Sequence, residues 1–477
     1  MGCSRLLAAF SVVGAATAIQ LPLLSTPAQA PIEVGEKPLI NSPALQEKIS
    51  ANNLLKRAEK LYEIAESSID QYNHPTRVIG SKGHLGTIDY IYETIAKHGD
   101  YYTLSNQSFP AVTGDVFESR LVVGNEVLSS AAAMSLTPPT KNKQPVYGPL
   151  VLVENEGCTP GDYPKNTSGS IALIQRGACA FGDKSTNAGK AGALAAIVYN
   201  NEQGGLSGTL GTPNEYQIAT FGISKEDAEP YIAALKNGTS VDSIAYIDSI
   251  VESISTTNII AQTIAGDSQN CVMLGGHSDS VAEGPGINDD GSGSLTLLEI
   301  AEQLTNFTVN NCVRFAWWAG EEEGLLGSDY YVAQLSEEEN MKIRLFMDYD
   351  MLASPNYAYQ VYNATNEVNP VGSEELRDLY TWFYERHNLN YTFIPFDGRS
   401  DYDAFIKNGI PGGGIATGAE GIKTKEEAAM FGGTPGEWFD PCYHQACDTV
   451  ANLNLTAWEI NTKVSLSKVF IFHTLKS

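Results

Sequence analysis

From residue 257 onward the chain alternates short, nearly uninterrupted apolar runs with stretches of helical spacing: CVMLGGH, SLTLLEIAEQL, VRFAWWAG, SDYYVAQL and IRLFMDYDM follow one another. No other feature restricts the fold as much. Runs with no polar face belong to strands covered on both sides, and strands separated by helices belong to a parallel sheet in an α/β fold. Upstream, over residues 44–96, Leu54, Leu55, Ala58, Leu61, Tyr62 and Ala65 recur at three-to-four spacing, and 88–95 repeat the pattern, which predicts helices. Between about residues 112 and 251 the chain turns to short β-branched runs broken by Gly, Pro and Asn, such as SRLVVG, YGPLVLVE, GSIALIQRG and LAAIVYN. This reads as an inserted β-rich module.

Ligands and reactive groups collect at the carboxyl ends of strands in a doubly wound sheet. His277 and Asp279 follow CVMLGG, the run Glu321-Glu322-Glu323 follows VRFAWWAG, and Asp350 follows RLFMDY. Asp289 and Asp290 lie in GPGINDDGSG, ahead of a helix expected from near Leu295 with Ser292 or Ser294 as its cap. Each feature alone is ordinary, since a single strand-end acid is usually solvated, a triple-Glu run is usually a charged loop and a lone histidine is more often structural than a ligand. Together they place several negative charges within a few ångströms, where they repel unless a cation holds them. Imidazole with carboxylate oxygens suits zinc, whereas an all-oxygen set would suit calcium or magnesium.

A fifth donor candidate is His444 in DPCYHQACD, in a loop bounded by Cys442 and Cys447. A disulfide there would fix its direction. A catalytic zinc keeps three protein ligands and an open position, so His277, Asp289, Glu322, Asp350 and His444 are too many for one ion and one short for two, unless a carboxylate bridges. Aspartate can bridge two ions; a neutral imidazole cannot.

The N-terminus carries one positive residue, Arg5, an apolar stretch over 6–15 and the small-x-small triplet Ala16-Thr17-Ala18, which reads as a signal peptide over residues 1–18 with 19–45 as a possible propeptide. A second triplet, Ala28-Gln29-Ala30, is followed by Pro31 and is a poorer cut. Without Cys3 the cysteines form an even set, Cys158, Cys179, Cys271, Cys312, Cys442 and Cys447, which suits an oxidising compartment and three disulfides. Cys442 and Cys447 can close a local loop, Cys271 and Cys312 each open a strand-like run, and Cys158 with Cys179 follows by elimination. Seven sequons, at Asn106, Asn166, Asn237, Asn306, Asn363, Asn390 and Asn454, offer glycan acceptors in a secreted chain. Thirty basic against 56 acidic side chains, a formal charge of −26, argue against nucleic-acid partners or an anionic membrane surface. A soluble, secreted product is expected, with retention in a vacuole as the alternative.

The blocks GGHSDS, GINDDGSGS, WWAGEEEGLLGS, FMDYDMLASPNY and DPCYHQACDT occur in this order between about residues 259 and 450. Together they resemble the secreted co-catalytic dizinc aminopeptidases, above all the fungal-type leucine aminopeptidase and aminopeptidase Y group. The stretch QRGACAFGDKSTNAGKAGALAAIVYN is similar to a protease-associated domain. The resemblance implies a zinc-peptidase sheet, mostly parallel in its core and flanked by helices, over residues 46–111 and 252–477, with a β-rich protease-associated insert over 112–251. It makes His277 and Asp350 ligands of one zinc ion, Glu322 and His444 ligands of a second, and Asp289 the bridge. Glu321 becomes the general base, and Asp279 orients the His277 ring. Asp290 is expected to shape the turn and Glu323 to face solvent, while Tyr443 either supports a developing oxyanion or packs. The implied substrates are peptides with a free N-terminus, Leu foremost; a monomer is expected. The rivals are a zinc carboxypeptidase or glutaminyl-cyclase-like enzyme of similar fold, or a noncatalytic receptor-like relative. A carboxypeptidase needs a cation for the terminal carboxylate, for which Arg399 is the candidate unless it pairs with Asp397 or Asp401.

Overall fold

The computed structural model describes residues 37–201 and 204–466. The expected signal peptide and residues 19–36 of the possible propeptide lie outside the described residues. Residues 38–46 are built into the body of the protein: Ile40 N donates to Thr308 O at 2.8 Å and Leu45 is fully buried.

Two helices follow, Ala51–Ala65 and Lys82–Ala96, each capped by a serine, Ser50 and Ser81, whose hydroxyl accepts from the third residue on. Leu54, Ala58, Leu61 and Ala65 form the buried face of the first, as their spacing predicts. The chain then enters a long two-stranded ribbon in which β1 (Tyr102–Val123) pairs antiparallel with β6 (Asp242–Thr263). Between them lie β2 (Val146–Leu152), β3 (Ile171–Gln175), β4 (Ala195–Tyr199) and β5 (Thr220–Ile223), a parallel run with its own apolar core that includes Leu173, Ile197 and Phe221. The expected insert boundaries, 112 and 251, fall inside the ribbon strands. Cys158 and Cys179 are joined within this module.

The second half forms the main sheet from β7 (Asp267–His277), β8 (Asn311–Trp318), β9 (Ile343–Tyr349), β10 (Gln360–Tyr362), β11 (Thr392–Ile394) and β12 (Gly412–Ala416). The strands run in the order β11-β10-β12-β9-β7-β8-β6. The central four, β12, β9, β7 and β8, are parallel, so their carboxyl ends open on one edge. Burial on both faces explains the uninterrupted apolar runs: Val313, Phe315, Ala316, Trp317 and Trp318 are all at most 1% exposed. Cys271 and Cys312 join the neighbouring strands β7 and β8. The helix Gly291–Leu304 crosses between them, and its first turn is pinned by two indole donors, Trp317 Nε1 to Ser294 O at 3.0 Å and Trp458 Nε1 to Ser292 O at 2.9 Å. This anchoring places the loop before the helix, which carries Asp289, against the ends of β7 and β9.

Candidate active site

Four of the five donor candidates leave strand ends or the helix entry, and the fifth arrives on a separate loop. His277 closes β7, and Asp350 follows the last residue of β9. Glu321 and Glu322 stand three and four residues past the end of β8, where Gly320, at φ +79°, turns the chain away from the sheet. His444 lies between Cys442 and Cys447, which are joined.

The donors form two groups that share Asp289, namely His277, Asp289 and Asp350, and Asp289, Glu322 and His444, with the ligand atoms of each group within 4.8 Å of one another. Asp289 Oδ1 lies 3.2 Å from His277 Nε2, and its Oδ2 lies 3.2 Å from His444 Nε2. Glu322 Oε2 is 3.1 Å from His444 Nε2, and Asp350 Oδ1 is 3.8 Å from His277 Nε2. Glu321 belongs to neither group, although its Oε2 is 3.9 Å from His277 Nε2. Tyr443 stacks on the His444 ring, centroids 3.8 Å apart.

The cluster is electrostatically unbalanced on its own. Burial opposes charge on His277, yet Glu321, Asp279, Asp289 and Asp350 together hold its pKa well above the ordinary histidine value. Burial likewise opposes charge on His444, and Glu322 with Asp289 lifts it to about 11. Burial pushes the Glu321 carboxyl well up, and Glu322 and Asp350 push it further. Burial and then, beyond the His277 charge that opposes it, Asp289 raise Asp350 to about 6. Asp289 itself is held low, since its two imidazole neighbours outweigh its burial. His277 Nε2, Glu322 Oε1 and Asp350 Oδ1 are buried without a hydrogen-bond partner. Buried polar atoms are paired in folded proteins, so this mixed nitrogen and oxygen set fits a zinc-type cation.

Around the donors lies a shell of hydrogen bonds that the sequence only partly announced. The fully buried Asp279 accepts from Gly320 N at 2.9 Å and Glu321 N at 3.3 Å through Oδ1, and from Glu322 N at 3.3 Å through Oδ2. Its Oδ1 is 3.7 Å from His277 Nδ1. It therefore holds the glutamate loop as well as facing the imidazole. Asp290 ties three elements together by accepting from His277 N, Gly293 N and Met351 N at 3.2, 2.8 and 3.2 Å. A Cβ at Gly276 would lie 2.7 Å from its carboxylate and one at Gly293 only 2.4 Å, which accounts for glycine at both positions. Asp448 accepts from Asn288 N at 2.9 Å and Asp289 N at 3.1 Å, while Asp440 accepts from Asn288 Nδ2 at 2.6 Å and Cys442 N at 2.8 Å. These two acids bind the His444 loop to the Asp289 loop. Ser400 Oγ donates to Asp350 Oδ2 at 2.9 Å.

Arg77 is the residue with the weakest sequence signal and the most central position. Fully buried, it donates to Ser278 O, to Pro285 O at 2.7 Å and to Gly286 O at 2.5 Å, and so clamps the loop that runs from His277 to Asp289.

Three expectations require correction. Neither Ser292 nor Ser294 caps the helix. Asp290 does so by accepting from Gly293 N, so the helix begins at Gly291, and both serine hydroxyls are engaged elsewhere, Ser292 with Asn288 O and Ser294 with His277 O. Arg399 pairs with Glu420 at 2.9 Å rather than with Asp397 or Asp401. Glu323 is half-buried, with its Oε2 shielded from solvent, and burial pushes its carboxyl well above the usual range. Of the sequon asparagines, six are exposed, and Asn454 is half-buried and caps the helix Leu455–Val464.

The parallel sheet and the divided donor set define a class, an α/β protein with a candidate metal centre at its strand ends, and known proteins narrow it. Residues 258–469 match Peptidase family M28, and residues 146–231 match the PA domain. The chain is 49% identical over 438 residues to aminopeptidase Y of Saccharomyces cerevisiae, covering 90% of this chain and 79% of that protein. It is 43% identical over 431 residues to leucine aminopeptidase 2 of Trichophyton equinum, covering 90% and 85%. An aminopeptidase from Aneurinibacillus sp. strain AM-1 superposes with a TM-score of 0.70 at 27% identity, over 90% of this chain and 96% of that one. The zinc aminopeptidase BSAP of Bacillus subtilis shares the fold, with a TM-score of 0.61 at 23% identity over 89% and 95%. The chain belongs to peptidase family M28 and carries a PA domain in its insert.

Proposed function

We propose that this chain is a zinc-dependent aminopeptidase that hydrolyses the first peptide bond of peptides and holds two zinc ions. His277 and Asp350 would hold one, Glu322 and His444 the other, with Asp289 between them. The observation that carries the reading is the division of five donors into two groups around the two oxygens of Asp289, with Glu321 left outside both. Bound zinc supplies acidity, lowering the pKa of a coordinated water and polarising the scissile carbonyl.

The remaining work falls to side chains. Glu321 is not spent on a donor group, so it takes the proton of the attacking water and returns it to the leaving amine. Asp279 keeps Glu321 and Glu322 in place through their backbone N–H groups. A cavity of about 390 Å³ opens beside the donors, and Met351, Tyr362, Ile394 and Phe439 give it apolar walls. Such walls support a preference for Leu and other apolar first residues, in keeping with the names of the relatives. The carboxylates lining the same cavity suit a free α-ammonium group. A carboxypeptidase reading loses support because Arg399, the arginine lining the cavity, is engaged by Glu420. Three disulfides and the exposed sequons support a secreted enzyme.

The direct test compares a leucyl peptide bearing a free amine with its N-acetylated form. The free-amine substrate alone should be cleaved, and equal cleavage of both would remove the exopeptidase assignment.

A further inference from the structure

One segment, residues 418–439, lends Gly418, Glu420, Gly421, Glu427 and Phe439 to the cavity lining. It contains one short helix, Lys425–Phe431, and otherwise little regular structure. Its two arms meet in a short antiparallel bridge, Ile422 with Trp438, and Phe439 N donates to Gly421 O at 2.9 Å. What ties this hairpin to the neighbouring chain is Lys423, which is 1% exposed.

The Lys423 ammonium is solvated by the protein itself. Nζ donates to Tyr357 O at 2.7 Å and to Asn356 O at 3.1 Å, and reaches Asn356 Oδ1 at 3.3 Å. Those three oxygens match the three N–H bonds of an ammonium. It also sits over the rings of Tyr357, Phe439 and Phe431, at 5.6, 5.9 and 6.0 Å from their centroids. Both phenylalanines belong to the segment, whereas the oxygens belong to the neighbouring Asn356-Tyr357 stretch, so one buried charge clips the segment to the body. Within the segment the main chain pairs at the same point: Lys423 N donates to Glu437 O, and Gly436 N to Lys423 O, each at 2.8 Å. Asn356 answers from the other side, with Nδ2 donating to Thr434 O and Trp438 O at 3.0 and 2.9 Å. Phe439 is left lying against Gly418, where a Cβ would come within 2.5 Å of its ring.

We propose that Lys423 is a specificity-positioning residue: by fixing Phe439 and its segment, it sets the wall against which a large apolar first side chain packs. It touches no reacting atom. The proposal rests on the reading of the cavity as the seat of the substrate's first residue. A leucyl side chain reaches that wall and gains from it, whereas an alanyl side chain is too short to do so. Loosening the wall should therefore weaken binding of one substrate and leave the other alone.

The test uses Lys423→Met, which keeps the stem and removes the charge, on the full zinc-loaded enzyme with leucyl and alanyl p-nitroanilides. For the leucyl substrate KM should rise about tenfold, the scale on which one to two methylenes of pocket contact discriminate, with kcat little changed. For the alanyl substrate both constants should stay within about twofold. Phe439→Leu, which trims the wall without disturbing a buried charge, should give the same pattern and serves if Lys423→Met does not fold. Equal losses on both substrates, or an unmoved ratio in either variant, would overturn the assignment of Lys423 while leaving the aminopeptidase reading intact. A wild-type enzyme that cleaves neither substrate would overturn both.

Discussion

Asp279→Asn removes a negative charge from a fully buried position while keeping its shape, and the hydrogen bonds around it set the size of the effect. The carboxylate serves three backbone donors, two on Oδ1 and one on Oδ2. An amide oxygen can replace one of the two carboxylate oxygens but not both. In one orientation its NH2 faces the Glu322 N–H, and in the other it faces the N–H groups of Gly320 and Glu321. At least one buried donor is then opposed by another donor, at about 1–3 kcal/mol, and the surviving bonds lose their charge assistance, about 1 kcal/mol more. The cost falls on the loop that carries Glu321 and Glu322, so zinc affinity should fall roughly 10–100-fold, the range seen when a partner of a metal ligand is removed. Competition between the zinc-loaded protein and a chromogenic chelator measures that affinity, and thermal denaturation at saturating zinc measures the stability term. Asp279→Ala, which strips both acceptor oxygens and leaves all three donors unpaired, should exceed Asn in both. An Asn variant that holds zinc as tightly as the wild type would show that these backbone bonds do not position the loop.

Glu321→Gln should lower turnover by about 10²–10⁴-fold, the usual contribution of a general base, with zinc content unchanged by elemental analysis; loss of zinc would mean that base and ligand roles were exchanged. Replacing Cys442 and Cys447 together with serine frees the loop that carries His444 at a φ of +56°. Chelator titration should then show one ion weakened about tenfold or more and the other held as before, whereas two unchanged ions would leave the disulfide without a role in the centre. The metal-free chain should also show a defined pH response. Burial raises Asp350, Asp401 and Asp448 to about 6, 7 and 8, and Glu322 and Asp289 lift His444 to about 11 against its burial. A group raised on folding stabilises the fold below its unfolded value and loses that contribution as pH rises through its folded value. Chelator-stripped protein should therefore lose thermal stability steadily from about pH 4 to pH 8, and the stabilisation gained on adding zinc should grow across that window because zinc binds the deprotonated donors. A zinc increment that shrinks with rising pH would contradict this.

The fold and the strand-end donor candidates were legible because they lie on or next to the regular part of the chain. Uninterrupted apolar runs mark strands covered on both faces, and the polar residues that end them, His277, Asp350 and the Glu321-Glu322 pair, fall where a parallel sheet presents its carboxyl edge. The residues around them were not legible because their partners are set by loop geometry. Arg77 stands in HPTRVIGSKGH, before the whole insert, and nothing periodic links it to the loop between His277 and Asp289. Asp440 and Asp448 sit within a recognised block, yet their work depends on Asn288 arriving from another loop. Ser292 looked like a cap by residue type and position, but its hydroxyl is already committed to Asn288 O. Arg399 has two acids within two residues, yet pairs with Glu420, which lines the same cavity. Lys423, one of two lysines in GIKTKEE, carries no hint of the aromatic surroundings that folding gives it.

Elemental analysis of the mature, active enzyme, combined with stepwise zinc readdition after chelation, tests the shared-aspartate centre most directly. Two zinc ions per chain are predicted, and Asp289→Asn should weaken both together. A stoichiometry of one at full activity, or an Asp289→Asn variant that loses a single ion and keeps the other at wild-type affinity, would contradict the account.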